Sequence, residues 1–416
     1  MTDTITSVIE RRAAGSGVGP VTAAQRIETL DILRGFAVLG ILAVNAMTFA
    51  WPGQMDAGAT AVPYEMNTAN RWAVWCVEVL LHNKCRTLFS MLFGISIFLV
   101  GGERSDKARG AVLRRRLLVL AIFGLLHGLA VWFGDILLLY AWSGVFMMLC
   151  RSWSPKRLLW TGISLLGAFS LLELGGEVFS ALQPYDAAKA AESLTKQAAE
   201  TLKIVETVRS GWLGAMTENL KMWAMVQGMS MILFVIPTVG LMMIGLGLFK
   251  SGYLAGRAKT GTYATMLVIG IAITAAFGWY NWLDLIPGRA PPTIYIPRVI
   301  LDLLAPFVTL AWVALLVLMM RHGLGWMTRT LAPVGRMAFT NYLTQSLIMA
   351  SLFYMPWGPM LYGKVEPAPL WGIVAGVWLL QLIWSPLWLS RFEMGPLEWV
   401  WRCLTYGRRV PLLKQA

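Results

Sequence analysis

The sequence predicts an all-α polytopic membrane protein with about ten transmembrane helices. Only 14% of its 416 residues are charged and 57% are hydrophobic, whereas a soluble domain has about 25% charged residues. Apolar stretches of about 20 residues, the length that crosses a bilayer, recur along the chain. These observations exclude a soluble globular protein and predict a helical bundle in a membrane.

The predicted bundle occupies residues 30–390. Its ten spans are expected at about residues 30–50, 72–101, 115–133, 136–150, 158–180, 228–249, 262–283, 298–320, 334–355 and 369–390. Residues 1–29 are polar and lack the apolar core of a signal peptide, so they are expected to form a disordered cytoplasmic tail. Residues 181–227 are expected to form a long outer loop with an amphipathic helix, and residues 391–416 a cytoplasmic tail with a short surface helix.

Basic residues orient the predicted spans. With both termini in the cytoplasm, most of the 35 lysines and arginines fall on inner segments, as the positive-inside rule requires. This distribution explains the net charge of +13 without nucleic acid, because the basic loops lack the exposed aromatic residues of a nucleic-acid surface. We therefore expect a multi-pass protein of the cytoplasmic (inner) membrane, surrounded by lipids.

Ionisable residues interrupt the predicted spans, where they are costly and mark functional sites. Arg34 and Asn45 in the first span are eleven residues apart, so they share a helical face and lie about 16 Å apart along the axis. Arg116 and His127 repeat this spacing and direction in the third span. Each helix thus offers a cation near the cytoplasm and a hydrogen-bonding group near the outer side. For single residues a plainer role stays open, since Arg34 has Asp31 one turn away.

The second predicted span contains His82, Lys84 and Arg86. His82 and Arg86 are four residues apart, which places them on one face of a continuous helix, with His82 nearer the outside.

His127 lies in the apolar segment FGLLHGLAVWFGDILLLYAW, where an unpaired imidazole costs free energy. Asp135 follows nearby, and a histidine with a carboxylate within reach is typical of a general base. On an ideal helix the two side chains point about 80° apart. Their pairing therefore requires a break near Gly134. His322 lies in an inner loop and is expected to be solvated.

Metal and disulfide sites are not predicted. The four cysteines show no CxxC spacing, and no group of histidines or carboxylates has the spacing of metal ligands. Near the C-terminus, Asn341 and Gln345 are one turn apart and are expected to hydrogen-bond between helices. Glu398 and Arg402 are spaced i, i+4 on a predicted helix that is expected to pack beneath the bundle.

Five segments resemble the YeiB-like family of bacterial membrane proteins, within the transmembrane acyltransferase superfamily. They are LDILRGFAVLGILAVN, CRTLFSMLFGISI, LLHGLAVWFGDILLLYA, PVGRMAFTNYLTQSL and GPLEWVWRCLTYG. The first segment is also similar to the opening span of acyltransferase-3 proteins, which have an Arg-Gly pair and a histidine eleven residues after the arginine. Heparan-α-glucosaminide N-acetyltransferase has asparagine at that place. This chain, with Arg34, Gly35 and Asn45, follows the asparagine version.

The resemblance implies that Asn45 belongs to an acyl-transfer site and that the donor is acyl-CoA, with acetyl-CoA preferred. The active histidine of the glucosaminide enzyme lies in the loop that follows, but residues 51–71 of this chain contain no histidine. His127 is therefore the favoured base, and His82 is the alternative.

These expectations combine into one functional hypothesis. Arg34 and Arg116 hold the phosphates of cytoplasmic acyl-CoA, and Lys84 and Arg86 bind phosphate or acceptor. In the outer half His82 contacts the acceptor, whose hydroxyl or amine is deprotonated by a base. Transfer directly to the acceptor and transfer through an acyl-histidine both stay open.

The base of this hypothesis is His127, oriented by Asp135, while Asn45 donates to the thioester oxygen. The acceptor stays open between a sugar, a cell-envelope component and a small natural product. The competing hypotheses are a transporter of a small anionic or drug-like substrate and a non-catalytic partner in envelope assembly. Monomer and homo-oligomer are both compatible with the sequence.

Overall fold

The structure, a computed structural model, describes residues 27–52, 64–182, 187–286 and 296–414. Within these ranges the chain forms helices joined by short connections, which confirms the predicted all-α fold class. The expected disordered tail at residues 1–29 lies outside the described residues except for its last three positions.

The first half of the described chain forms eight α-helices and one π-helix. They are α1 (Glu28–Ala50), α2 (Thr68–Cys76), π1 (Val77–Leu81), α3 (Lys84–Gly101), α4 (Lys107–Ala130), α5 (Leu137–Cys150), α6 (Pro155–Ala181), α7 (Ala187–Arg209) and α8 (Trp212–Met229).

The second half continues without a break from α8. Its helices are π2 (Ser230–Phe234), α9 (Val235–Lys250), α10 (Thr260–Asp284), α11 (Ile296–Arg321), α12 (Gly325–Arg329), α13 (Leu331–Arg336), α14 (Ala338–Phe353), α15 (Pro367–Arg391) and α16 (Pro396–Tyr406).

Six helical segments of the described chain are long and apolar enough to cross a bilayer. They are α1, the α2–π1–α3 segment, α6, α10, the part of α11 from Leu303 to Arg321, and α15. Two shorter apolar helices, α5 and α9, accompany them. The chain is therefore a multi-pass membrane protein. The predicted number of about ten transmembrane helices counts α4 and α14 in addition to these eight segments, and it stays a prediction.

The second predicted span is not one continuous helix. π1 ends at Leu81, His82 follows it, and Asn83 has a left-handed backbone with φ of 59° before α3 begins. Asparagine tolerates this conformation better than most residues. The expectation that His82 and Arg86 share one helical face is wrong, because this break lies between them.

The segment predicted as a long outer loop contains two helices, α7 and α8. Val205 and Val208 of α7 are buried in a hydrophobic cluster at one end of the bundle. Arg209 donates hydrogen bonds to the carbonyl oxygens of Tyr362 and Gly363, at 2.8 Å and 2.6 Å. α8 continues through π2 into α9, so it extends the helix predicted at residues 228–249 by 16 residues.

At the other end, α1 and α13 cross with their backbones in contact. A Cβ atom at Gly35 would meet the backbone of Leu331, and a Cβ atom at Gly335 would meet the backbone of Asp31. Small residues permit this close approach of helices in membranes. The contact fixes the position of Arg34, which follows Asp31 by one turn.

A buried polar network joins α1, α14 and α15. Gln345 donates through Nε2 to the carbonyl oxygen of Val38 at 3.2 Å and to Gln381 Oε1 at 2.8 Å. Gln381 donates to the carbonyl oxygen of Asn341 at 2.9 Å. The expected interhelical hydrogen bonds of Asn341 and Gln345 are therefore confirmed. Since these bonds are buried, they fix α14, which carries Tyr342 to the candidate site.

Candidate functional site

A cavity of about 240 Å³ lies among α1, α3, α4, α5, α13, α14 and α16. Four arginines from four different helices line it: Arg34, Arg116, Arg336 and Arg402. We call this space the arginine cavity. The carboxylates in its lining are Asp31 and Glu398, so arginines outnumber carboxylates two to one and the site suits an anion.

Arg34 and Arg116, the two cations expected from the sequence, are both in this lining. Arg34 Nη1 lies 2.9 Å from Asp31 Oδ1, and the Arg34 side chain is 26% exposed. The Arg116 guanidinium lies 3.7 Å from the centre of the Trp401 ring, and Trp401 Nε1 donates to the Arg116 carbonyl oxygen at 3.1 Å. A stacked guanidinium keeps its edge available for a bidentate bond to phosphate.

α16 lines one side of the arginine cavity. Its residue Glu398 bonds this helix to α14. Glu398 Oε1 accepts hydrogen bonds from the backbone N–H groups of Phe339 and Thr340, at 2.8 Å and 3.0 Å, and Oε2 accepts from the Thr340 hydroxyl. These two N–H groups belong to the first turn of α14 and have no partner within that helix. Burial raises the pKa of the Glu398 carboxyl, and the bonds from Thr340 and Phe339 oppose this rise.

We expect Glu398→Ala to lower the free energy of unfolding by about 1–3 kcal/mol, because it leaves buried N–H groups without an acceptor. Glu398→Gln should cost less, since the amide oxygen still accepts from both N–H groups. Glu192 offers a control: it pairs with Lys196 on the exposed face of α7, so Glu192→Ala should change stability by less than about 0.5 kcal/mol. Denaturant unfolding of the purified protein measures all three, and equal losses for Glu398→Ala and Glu192→Ala would contradict this role.

A second cavity, of about 990 Å³, opens among π1, α3, α6, α8, α10 and α11. We call it the large cavity. Its lining contains one histidine, one arginine and five carboxylates: His82, Arg86, Glu78, Asp135, Glu173, Glu177 and Asp284. The predicted site residues His82 and Arg86 therefore lie here, away from the arginine cavity.

A carboxylate–histidine pair lies in this wall, just before the break between π1 and α3. His82 Nδ1 lies 2.8 Å from Glu78 Oε2. Lys84, which is buried, donates to the Glu78 carbonyl oxygen at 2.9 Å, and its Nζ lies 4.2 Å from the centre of the Phe277 ring. Lys84 lines neither cavity, so the structure does not bring it to Arg34 and Arg116.

The predicted pairing of His127 with Asp135 is present. α4 ends at Ala130, and the turn through Gly134 brings Asp135 Oδ1 to 2.9 Å from His127 Nδ1. Asp135 Oδ2 accepts from the backbone N–H of Leu138 at 2.9 Å, in the first turn of α5. One carboxylate thus caps a helix and orients an imidazole. Both side chains are buried, and His127 Nε2 has no hydrogen-bond partner among the residues that the structure describes.

Two close contacts hold this pair in place. At Gly124, one turn before His127, a Cβ atom would come within 2.5 Å of Leu138 N and 2.8 Å of Asp135 Oδ2. On the opposite side, Asn219 of α8 donates to the carbonyl oxygen of Gly128 at 2.9 Å, a group at the C-terminal end of α4 that lacks an intrahelical partner. α8 therefore stabilises the helix end that carries His127.

The His127–Asp135 pair lies between the two cavities. Asp135 lines the large cavity. The His127 ring lies 5.5 Å from the ring of Tyr342, which lines the arginine cavity. Ile136, the next residue after Asp135, appears in the lining of both cavities. The two spaces therefore approach each other beside the pair.

Asn45 is separate from this arrangement. It is half-buried on α1 and lines neither of the two cavities as far as the described residues define them. Its predicted role as a donor to the thioester oxygen stays a prediction from the sequence.

Comparison with known proteins places the chain in a family. YxaH, an uncharacterized protein of Bacillus subtilis (strain 168), is 30% identical over 424 residues, which cover 96% of this chain and 99% of YxaH. YeiB, an uncharacterized protein of Escherichia coli (strain K12), is 30% identical over 421 residues, which cover 94% of this chain and 99% of YeiB. The chain belongs to the YeiB-like family.

A family model described as a protein of unknown function (DUF418) matches residues 248–408 of this YeiB-like chain. That range contains Arg336, Glu398 and Arg402, whereas Arg34 and His127 precede it. No solved structure matches the chain.

Several residues of the YeiB-like site were not predicted from the sequence as site residues. Glu78 lies in the apolar run VEVLL. Its i, i+4 spacing to His82 is the sequence pattern that could have predicted their contact. No helical spacing connects Arg336 or Arg402 to the ionisable residues of the first and third predicted spans. Only the fold brings these two arginines to Arg34 and Arg116.

Proposed function

We propose that this protein transfers an acyl group from cytoplasmic acyl-CoA to a hydroxyl or amine acceptor on the outer side of the bacterial inner membrane. The observation that carries the proposal is that two cavities share the lining residue Ile136, which follows Asp135, the partner of His127. One cavity is rich in arginine and suits an anionic donor, and the other is four times larger and suits a separate acceptor.

The arginine cavity is proposed to hold the donor. Coenzyme A joins a phosphorylated nucleotide to a long uncharged arm, and arginine stays charged and binds phosphate bidentately. Arg34 and Arg116 line this cavity together with an apolar wall that includes Phe89, Phe93 and Leu120. The arm would lie along this apolar wall with its thioester toward His127. The positive-inside distribution of basic residues supports a cytoplasmic location of the two arginines.

His127 is proposed as the general base. With Nδ1–H donating to Asp135, the lone pair of Nε2 is available for a proton. Nε2 takes the proton from the acceptor O–H or N–H as the acceptor oxygen or nitrogen attacks the thioester carbon. The carbon–sulfur bond then breaks, and the proton passes from Nε2 to the departing CoA thiolate. Asp135 stabilises the imidazolium between these steps.

The large cavity is proposed to hold the acceptor, whose polar groups would contact His82 and Arg86. A sugar, a cell-envelope component or a small natural product fits a space of this size and polarity. Asn45 is the proposed donor to the thioester oxygen on the basis of the sequence resemblance alone.

Calorimetric titration of the purified full-length protein with acetyl-CoA tests the proposal. We expect saturable binding of acetyl-CoA and of CoA, with a dissociation constant below about 1 mM, as is usual for enzyme substrates. Pantetheine, which lacks the nucleotide and its phosphates, should bind at least about 10-fold more weakly, because it leaves the arginines without an anion. Absence of binding for both acetyl-CoA and CoA would contradict the proposal and favour transport of another substrate.

A further inference from the structure

We infer that Ile136 determines which acyl groups the protein accepts, and that it selects short chains. This inference rests on the proposed function. Its basis is the position of one side chain: among the residues that the structure describes, Ile136 is the only one that lines both the arginine cavity and the large cavity.

The backbone on either side of Ile136 is fixed. Asp135 precedes it and is bonded to both His127 and the Leu138 N–H. Leu137 follows it as the first residue of α5. Asp135 faces the large cavity and Leu137 faces the arginine cavity. Ile136 therefore stands at the boundary, and a β-branched side chain has few rotamers with which to leave it.

The neighbouring wall of the arginine cavity is also rigid. The Tyr140 ring stacks with Phe89 at 5.8 Å and with Phe93 at 5.3 Å between ring centres. Tyr140 Oη and Ser90 Oγ are 3.0 Å apart and share a hydrogen bond. We therefore place the opening between the two cavities at Ile136, whose side-chain size sets its width.

The chemistry requires the acyl group to lie at this opening. The thioester carbon must approach an acceptor atom from the large cavity to about 3–3.5 Å while its sulfur remains with the donor in the arginine cavity. The alkyl part of the acyl group is bonded to that same carbon, so it contacts Ile136. An acetyl methyl group needs little space there, whereas each further methylene competes with the Ile136 side chain.

An apolar pocket discriminates between two ligands that differ by one methylene by about 10- to 200-fold. The wild-type protein is therefore expected to bind butyryl-CoA and hexanoyl-CoA at least about 10-fold more weakly than acetyl-CoA. In Ile136→Ala, which removes most of the side chain, the three affinities should agree within about 3-fold. Ile136→Val, which removes one methylene, should give an intermediate ratio.

The test is calorimetric titration of the full-length protein with CoA, acetyl-CoA, butyryl-CoA and hexanoyl-CoA. The matched control is Leu139→Ala, since Leu139 lines only the large cavity and its loss should leave the wild-type ratio of affinities unchanged. Melting temperatures show that each variant is folded. If Ile136→Ala does not fold, the inference is tested by comparing the ratio of hexanoyl-CoA to acetyl-CoA affinity in the wild type with the same ratio in Ile136→Val.

Two results would overturn the inference: equal binding of hexanoyl-CoA and acetyl-CoA by the wild type, or a ratio in the folded Ile136 variants equal to that of the wild type. Either result leaves the proposed function standing, because CoA itself still binds. Failure of CoA and all its acyl derivatives to bind the wild type refutes the proposed function, and the assignment of Ile136 with it.

Discussion

Replacing His127 with alanine is expected to lower acyl transfer by about 10²- to 10⁴-fold, the usual contribution of a general base. Binding of acetyl-CoA should not change, because His127 does not line the arginine cavity. Transfer is measured with radiolabelled acetyl-CoA and membranes of cells that produce the protein, as label incorporated into material other than acetyl-CoA. Binding is measured by calorimetry on the purified variant.

The chain offers two histidine controls. His322 is exposed in a turn after α11, so His322→Ala should transfer label at the wild-type rate. His82→Ala distinguishes the two candidate bases. If His82→Ala loses transfer by 10²-fold or more and His127→Ala does not, the base is His82 and our assignment is wrong.

Asp135→Asn separates the two functions of that carboxylate. The amide oxygen can still accept from the Leu138 N–H, so the first turn of α5 is retained. The amide nitrogen then faces His127 Nδ1 and favours the tautomer with its proton on Nε2, which cannot act as a base. Reduced transfer with an unchanged melting temperature is the expected outcome.

Arg116→Ala is expected to weaken CoA binding by about 10- to 100-fold, the range for a lost charge-assisted hydrogen bond. Arg116 contributes a guanidinium stacked on Trp401 to the lining of the arginine cavity, and alanine removes both its charge and its donors. Arg116→Lys keeps the charge without the planar fork, so its loss should be smaller but measurable. Calorimetric titration with CoA gives each dissociation constant.

Pantetheine and a second arginine provide the controls for this prediction. Arg116→Ala should bind pantetheine as the wild type does, because pantetheine lacks the nucleotide phosphates. Arg86 lines only the large cavity, so Arg86→Ala should keep wild-type affinity for CoA. Equal weakening of CoA binding by Arg86→Ala and Arg116→Ala would remove the assignment of the donor to the arginine cavity.

The placements of candidate residues that the sequence predicted correctly depend mainly on helix geometry. The break near Gly134 that joins His127 to Asp135 follows from helical angles and from the cost of an unpaired imidazole in an apolar segment. Arg34 and Arg116 were expected near the same end of two helices, and both line one cavity. Local spacing is enough for the first inference because His127 and Asp135 are close in sequence. The second also used the positive-inside rule, which places the start of both helices on one side of the membrane.

The features that the sequence did not predict depend on tertiary contacts, or on helix breaks that the local sequence indicates only weakly. Glu398 bonds to the first turn of α14, about 58 residues earlier in the chain, and no spacing rule connects them. The left-handed Asn83 separates His82 from Arg86, although hydropathy favours a continuous span. Ile136 is an ordinary apolar residue in the sequence, and only the two cavities around it give it a distinct position.

Asp135 is hydrogen-bonded both to His127 and to the Leu138 N–H. The orientation of the His127 imidazole therefore depends on the first turn of α5. If the start of α5 frays, the Leu138 N–H releases the carboxylate, and the imidazole of His127 loses its orientation in the same event. Warming should thus disable the pair while most of the bundle remains intact. Thermal inactivation would then precede, and not coincide with, the loss of helical circular dichroism.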